Sequence, residues 1–337
     1  MQYFEVKGTN YEMGFKIGKQ FKPYLNKIIV KYDKAVEKTY EKISFLENKM
    51  RKLLPNCLEE IYGRADGAGV SRKSMLLMFC PEIFKQVDNC TTVIAKTNNR
   101  VLFTHNEDEK GCSFENIALI KYIYKDFFVV SLTRADRLAG SAFSFNSYGI
   151  LISSNYVYGD EFNLNNLSRY IVSRDIINSK NINEAMGKLK NIDVASAFSL
   201  NMLDMNSKEV INVEKDIHDM YVTNIESKYA RSNHFHAKEH NEDKDPISSK
   251  FRYKKANELL NKINIESCEI SELFEILNYK TDDYYQSIHK DYTKYNDKST
   301  TIATFLHDTD SDEIVIYDYI EKSKIVLYKN GEVNLSL

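Results

Sequence analysis

The feature that most constrains how this chain can fold is an abrupt change in the period of its apolar residues at Cys90. From Asn10 to about Asn89 they recur at helical spacing: Phe15, Ile17, Phe21, Tyr24 and Leu25, then Ile28, Ile29, Tyr32 and Val36, then Ile43, Leu46, Met50, Leu53 and Leu54. Apolar residues three and four apart form one stripe of a helix, and Pro55 and Gly67-Ala68-Gly69 punctuate the run, so three or four helices are expected. From Cys90 the texture is that of strands. Thr91-Thr92-Val93-Ile94-Ala95 and Val101-Leu102-Phe103-Thr104 flank a turn at Asn98-Asn99, the signature of a hairpin.

A second strand pair is expected over 117–124 and 127–133, and a strand-turn-strand over 143–156 through Ser147-Tyr148-Gly149. Helical period returns over 167–189. Strands follow at 198–203 and 210–213, helices at 251–263 and 270–277, and a closing meander at 301–306, 314–319 and 324–328. Runs of strands and runs of helices are segregated, which predicts an α+β fold and not a parallel doubly wound sheet. No repeat, low-complexity tract or flexible linker divides the 337 residues, so one compact unit is expected overall.

Composition excludes several function classes. Lys+Arg number 46 against 48 Asp+Glu, a balance that offers no field for nucleic acid or an anionic membrane surface. No apolar run approaches the ~18 residues of a membrane span, and Met1-Gln2-Tyr3-Phe4-Glu5-Val6 has no signal-peptide pattern. Cysteines 57, 80, 90, 112 and 268 are odd in number and scattered without a CxxC pair; neither a disulfide framework nor a structural zinc site is expected, and the compartment expected is the cytoplasm. No phosphate-binding glycine loop is present, and no cofactor is expected. The histidines of His234-Phe235-His236-Ala237-Lys238-Glu239-His240 run into Asn241-Glu242-Asp243-Lys244-Asp245, a solvated-loop composition, so no metal is assigned there. Asp308-Thr309-Asp310-Ser311-Asp312 lacks the glycine and the closing glutamate of a calcium loop and reads as a turn.

A cysteine beside a strand is usually a small buried hydrophobe. Cys90 has unusual company: Asp88-Asn89-Cys90-Thr91-Thr92, a hairpin, then His105-Asn106-Glu107-Asp108. Antiparallel pairing returns the acidic end of the second strand to the start of the first. This pattern resembles the penicillin acyltransferase-like cysteine hydrolases, relatives of the choloylglycine hydrolases, in which a precursor is cut just before a Cys-Thr. The resemblance continues in order through Gly8-Thr9-Asn10-Tyr11-Glu12-Met13-Gly14 with Gly18, Gly67-Ala68-Gly69-Val70 through Glu82, and the strand-turn-strand ending at Asn155. It extends through 195–204 with Glu214 beyond, the motif Ser232-Asn233-His234-Phe235, and Thr301-Ile302-Ala303-Thr304 through Asp308.

The resemblance implies a four-layer αββα sandwich of the N-terminal-nucleophile (Ntn) hydrolase type. Residues 1–89 form a helical pro-region or small subunit, and 90–337 the catalytic core. It implies cleavage between Asn89 and Cys90, a Cys90 nucleophile whose own α-amine accepts the thiol proton, and a thioester intermediate. Asp108 would hold the amine. Asn233 and, second, Asn155 would stabilise the oxyanion, and Thr92 would support the site or the cut. Two departures stand out. Asn89 occupies a position where the family has glycine, and the family's late arginine falls near Ser287-Ile288-His289-Lys290, where His289 or Lys290 replaces it. The expected partners are a small-molecule acyl donor and an amine, with homo-oligomerisation left open. The expected reaction is amide formation from an activated acyl donor. The alternatives are hydrolysis of linear amides and, in another class, small-molecule binding without catalysis.

Overall fold

Strand alternation and helical stripes resolve into two stacked sheets with helices on both outer faces. The computed structural model describes residues 1–84, 89–159, 161–238, 240, 245–291, 294, 298–329 and 332–333, the side chains of 83, 84 and 110–113 excepted. Asp88, Cys112, Glu239 and the solvated-loop residues Asn241-Glu242-Asp243-Lys244 therefore lie outside the described residues or side chains. One sheet has eight strands in the order β1 (Gln2–Lys7), β4 (Ile117–Ile123), β5 (Phe128–Arg134), β6 (Ser144–Asn146), β7 (Ile150–Tyr156), β8 (Phe198–Asp204), β9 (Glu209–Lys215) and β10 (Met220–Asn224). The other has seven: β11 (Lys228–Arg231), β2 (Asn89–Lys96), β3 (Val101–Lys110), β12 (Ser299–Asp308), β13 (Glu313–Asp318), β14 (Ser323–Lys329) and β15 (Glu332–Val333).

Three apolar clusters mark the three interfaces between layers. Helices α1 (Asn10–Gln20), α2 (Lys22–Leu53), α3 (Pro55–Ala68), α4 (Arg72–Met78), α5 (Arg169–Ile176) and α6 (Ile182–Lys190) pack with Ile120, Ile152, Leu200 and Val213 of the eight-stranded sheet. Phe103, Leu119, Phe145, Leu203 and Phe305 fill the space between the sheets. Helices α7 (Ile247–Lys262) and α8 (Ile270–Leu277) bury Ala256, Leu260, Leu273 and Leu277 against Val93, Ala95 and Leu102. This is the αββα sandwich that the resemblance implied.

The first 89 residues are not only helical. Strand β1 pairs in parallel with β4, Phe4 opposite Ile120 and Val6 opposite Tyr122, so the segment supplies an edge of one sheet as well as helices. Helices α1 and α3 approach closely enough that a Cβ on Gly14 would sit 2.1 Å from the Glu60 carbonyl oxygen, and one on Gly63 would sit 2.0 Å from that of Tyr11. Only glycine fits there. Glu60 anchors this layer to the rest: it pairs with Arg64 at 3.0 Å and with Arg174 of α5 at 2.7 Å, all three buried. The helical period over 167–189 turns out to span two helices, because Asn181 caps α6 by accepting from the Glu184 backbone N–H at 2.9 Å.

Candidate active site

The site grows from the open end of the β2–β3 hairpin. The register sets Asn89 opposite Asp108, Cys90 opposite Glu107, Thr91 opposite Asn106 and Thr92 opposite His105. Side chains of directly opposed residues share a face. Cys90, Thr92, His105 and Glu107 therefore point between the sheets, and Asn89, Thr91, Asn106 and Asp108 point toward α7 and α8.

On the inward face the Cys90 sulfur, 1% exposed, lies 3.2 Å from Glu107 Oε2. The same oxygen is 3.2 Å from His105 Nε2, and His105 Nδ1 is 2.9 Å from the Thr92 hydroxyl. Burial pushes the His105 imidazole down to about 3, so the ring is neutral. With its proton on Nε2, ring and thiol both donate to the Glu107 carboxylate while Nδ1 accepts from Thr92. The cluster is thus satisfied by hydrogen bonds alone, although its sulfur, nitrogen and oxygen atoms, within 4.8 Å of one another, have a spacing that an ion could also span. Thr92 reaches across to the facing sheet, where its hydroxyl is 3.2 Å from Asn155 Oδ1 and accepts from Asn201 Nδ2 at 3.2 Å. Asn201 also donates to Asn155 Oδ1 at 2.9 Å, which leaves Asn155 Nδ2 buried with no acceptor.

The backbone of Cys90 is held separately. β11 pairs with β2 only from Ala95 back to Thr92, so the strand edge beyond Thr92 has no strand neighbour there. Side chains take over. Asn233, two residues past the end of β11, accepts the Cys90 N–H on Oδ1 at 3.1 Å and donates from Nδ2 to the Tyr156 carbonyl at 2.9 Å. Arg252 of α7 donates from Nη1 to the Cys90 carbonyl at 2.5 Å and to Thr91 Oγ1 at 2.8 Å, and from Nη2 to Asn233 Oδ1 at 2.7 Å.

On the outward face, Asp108 accepts from Thr301 Oγ1 at 2.7 Å on Oδ1, while its Oδ2 has no partner. Thr301 Oγ1 in turn accepts from the Lys290 backbone N–H at 2.8 Å. Burial pushes the Asp108 carboxyl up, against the opposing pull of Arg252, the Thr301 hydroxyl and Lys290. Burial and the neighbouring Arg252 bring the Lys290 ammonium down to about 7; it donates to the Tyr284 carbonyl and, at 2.6 Å, to that of Ser287. Asn89 donates from Nδ2 to Ser299 Oγ at 3.2 Å.

The structure thus brings Cys90, Thr92, Asp108, Asn155 and Asn233 to one end of the β2–β3 pair. Of the two late basic residues, Lys290 is the one in electrostatic contact with Asp108. The His289 ring stands edge-on to Tyr319 with centroids 4.4 Å apart, away from the other five. Glu107, His105, Arg252 and Arg137 belong to the site or its border and were not singled out from sequence. The later histidines are engaged locally: His234 Nδ1 lies 2.8 Å from Ser249 Oγ, and His240 Nε2 lies 2.9 Å from Asp245.

The profile of the family described as acyl-coenzyme A:6-aminopenicillanic acid acyl-transferase matches residues 95–317, beginning on β2 just after the Cys90–Thr92 segment. A curated relative, beta-alanyl-dopamine/carcinine hydrolase of Drosophila melanogaster, is 24% identical over 225 residues, covering 57% of this chain and 58% of its own length. The chain thus spans little more than half of that relative. Among solved structures, two of conjugated bile acid hydrolase variants from Clostridium perfringens superpose with a TM-score of 0.51 at 14% and 15% identity, covering 72% of this chain and 93% of theirs. At that identity they show the fold alone, and the fold is that of the Ntn hydrolases. With two thirds of its length matched to that profile, the chain belongs to the acyl-coenzyme A:6-aminopenicillanic acid acyl-transferase family.

Proposed function

We propose that the chain cuts itself between Asn89 and Cys90 and that the new N-terminal Cys90 transfers acyl groups through a thioester. One observation carries this reading. Cys90 is held by its backbone, through Asn233 and Arg252, while its sulfur stands on the other side beside an acid and a row of polar side chains. A structural cysteine needs no such grip. Cleavage would turn the Cys90 N–H into an amine on a nitrogen already hydrogen-bonded to Asn233, one register position from a buried carboxylate oxygen without a partner, Asp108 Oδ2. An amine with a pKa near neutrality can take the thiol proton. The thiolate attacks an acyl carbonyl, and the unsatisfied Asn155 Nδ2 is the donor best free to stabilise the oxyanion, an interaction worth about 3 kcal/mol of barrier. Asn233 Nδ2, already donating to Tyr156, would have to release that bond to serve.

The acceptor in this reading is an amine, in keeping with the family's description, and the partners are a small-molecule acyl donor and that amine. Water as acceptor is the second reading; the amide-hydrolase name of the curated relative favours it. Residues 1–89 would stay bound as the small subunit, because α1–α4 share one apolar cluster with the eight-stranded sheet. The cysteines described are free, and no described helix is long and apolar enough to cross a membrane; a cytoplasmic location accords with both.

Mass spectrometry of the purified protein tests the cut: two co-purifying fragments that meet at Asn89/Cys90 are expected, and an intact chain would favour the non-catalytic binder. Incubation with an acyl thioester, with and without a panel of amines, separates transferase from hydrolase. Cys90→Ala should remain whole and inert; full turnover in that variant would end the proposal.

A further inference from the structure

In an uncut chain the base invoked above does not exist. The nitrogen of Cys90 is then an amide, which is not basic, and its proton is already given to Asn233 Oδ1. If the same sulfur is to attack the preceding carbonyl, something else must take its proton first. Among the described residues, the carboxylate hydrogen-bonded to that sulfur is Glu107, with Oε2 at 3.2 Å. We propose that Glu107 is the catalytic base of self-cleavage, a role it holds before the α-amine appears, so that one sulfur is served by two bases in succession.

The surroundings suit that task. Glu107 is 2% exposed, so its proton exchange with the sulfur is not shared with bulk water. Arg137 Nη1, paired more closely with Glu109, also lies 3.6 Å from Oε1 and places a cation it shares between the two acids on the side away from the sulfur. The neutral His105 donates to Oε2 and, through Thr92, is tied to the facing sheet, which fixes the carboxylate where the thiol needs it. Asp108, the other acid of the motif, cannot substitute, because the register turns it to the opposite face.

The step balances as follows. The S–H proton passes to Glu107 Oε2, and the sulfur forms a bond to the carbonyl carbon of Asn89. The C–N bond to Cys90 then breaks, and the leaving nitrogen takes the proton back from Glu107 to become the α-amine. Water cleaves the resulting thioester, releasing the Asn89 carboxylate and the Cys90 thiol, and the proton set free passes to the new α-amine. Glu107 ends ionised, as it began.

This inference rests on the cleavage reading above, and the test separates their failures. Full-length wild-type chain, Glu107→Gln, Glu107→Asp and the double variant Glu107→Gln/Arg137→Gln are made by cell-free synthesis, and fragment appearance is followed by mass spectrometry, with a thermal melt of each. Arg137 keeps Glu109 as a partner in Glu107→Gln, and in the double variant Glu109 keeps Arg134, so neither variant strands a buried charge of this cluster. Glu107→Gln, or the double variant where the single one does not melt cooperatively, should be cut at least about a hundredfold more slowly than wild type. Glu107→Asp should recover cutting to within roughly tenfold of wild type. Hydroxylamine, which cleaves thioesters, should speed fragment release from wild type and leave the slow release from Glu107→Gln unchanged, because there the acyl shift itself limits the rate. Cutting of a folded Glu107→Gln or double variant at the wild-type rate overturns the proposal, as does acceleration of fragment release from Glu107→Gln by hydroxylamine, which would place the residue after the acyl shift. A wild-type chain that never cuts removes the cleavage reading and this inference with it.

Discussion

The two faces of the β2–β3 hairpin carry different chemistry a few ångströms apart. Toward the other sheet stand a thiol, a neutral imidazole, hydroxyls and amides around the Glu107 carboxylate, with Glu109 and Arg137 at the border. Toward α7 and α8 stand buried charges: Asp108, with Arg252 and Lys290 shifting its titration. Strand alternation keeps the two sets apart, and Cys90 alone belongs to both, through its sulfur on one side and its backbone bonds to Asn233 and Arg252 on the other. The division suggests a working rule: the inward face handles the acyl group and the outward face handles the amine. Substitutions on each side should therefore fail in different ways.

The largest effect is expected on the inward face. Asn155→Ala removes the amide nitrogen left without an acceptor, and loss of one oxyanion donor typically slows turnover by roughly a hundredfold to a thousandfold. Asn155 Oδ1 also accepts from Asn201 and Thr92, so the melting temperature should fall somewhat, and kcat measured on folded, cut enzyme isolates the effect. An unchanged kcat would remove Asn155 from the acyl chemistry and leave the Cys90 sulfur as the group on that face that turnover needs. Next in size, Asp108→Asn keeps the shape but removes the charge that would hold the amine. Turnover should fall by roughly tenfold to a hundredfold, the scale of a lost acid–base partner, with fragment formation far less affected. If cutting and turnover fell together, the outward face would not be specific to the amine. Arg252→Lys is milder. It keeps the cation but not the fork that spans the Cys90 carbonyl, Thr91 and Asn233. About tenfold in turnover is expected, read against an unaltered far-ultraviolet spectrum.

How much of this division could be read beforehand depends on what kind of signal each residue leaves. The helical stripe of α1–α4 and the alternation of β2, β4 and β5 are local patterns, and they predicted their elements. β1 and β10 went unread because short edge strands bury little: β10 is half-buried or exposed throughout, so its sequence shows no apolar face. Cys90, Asp108, Asn155 and Asn233 were found because a family pattern keeps them in order. Glu107 lies within that pattern but carries no signal of its own, since in Asn106-Glu107-Asp108-Glu109-Lys110 it reads as one acid in a charged run. Continuing the period of β3 for four more residues would have placed it opposite Cys90 and Asp108 on the other face. Arg252 left no signal of its own. It lies among Lys250, Lys254 and Lys255 on α7, where cations usually mark a solvated side, and only tertiary burial tells it from them. The choice between His289 and Lys290 is likewise tertiary, set by which neighbour the loop turns toward Asp108.

The smallest effect concerns stability, and it tests whether the inward face is as dry as its burial implies. Burial holds His105, His234 and His289 down to about 3 each, whereas an unfolded chain protonates its histidines near 6.5. As pH falls below about 6.5 the unfolded chain therefore binds protons that the folded chain refuses, and stability declines progressively down to about pH 3, where the folded rings charge as well. Above about 6.5 both states carry neutral rings and this contribution is fully present. The histidine contribution to melting temperature should thus be flat from about pH 8 to 7, where Lys290, held down to about 7, adds a slope of its own, and should drop between 6 and 4. His105→Gln should flatten part of that slope, because glutamine keeps hydrogen-bonding capacity toward Glu107 and Thr92 without binding a proton. A wild-type slope that His105→Gln leaves untouched would mean that the imidazole titrates normally, in contact with water, and the inward face would then lose the dryness that sets it apart from the charged side of the hairpin.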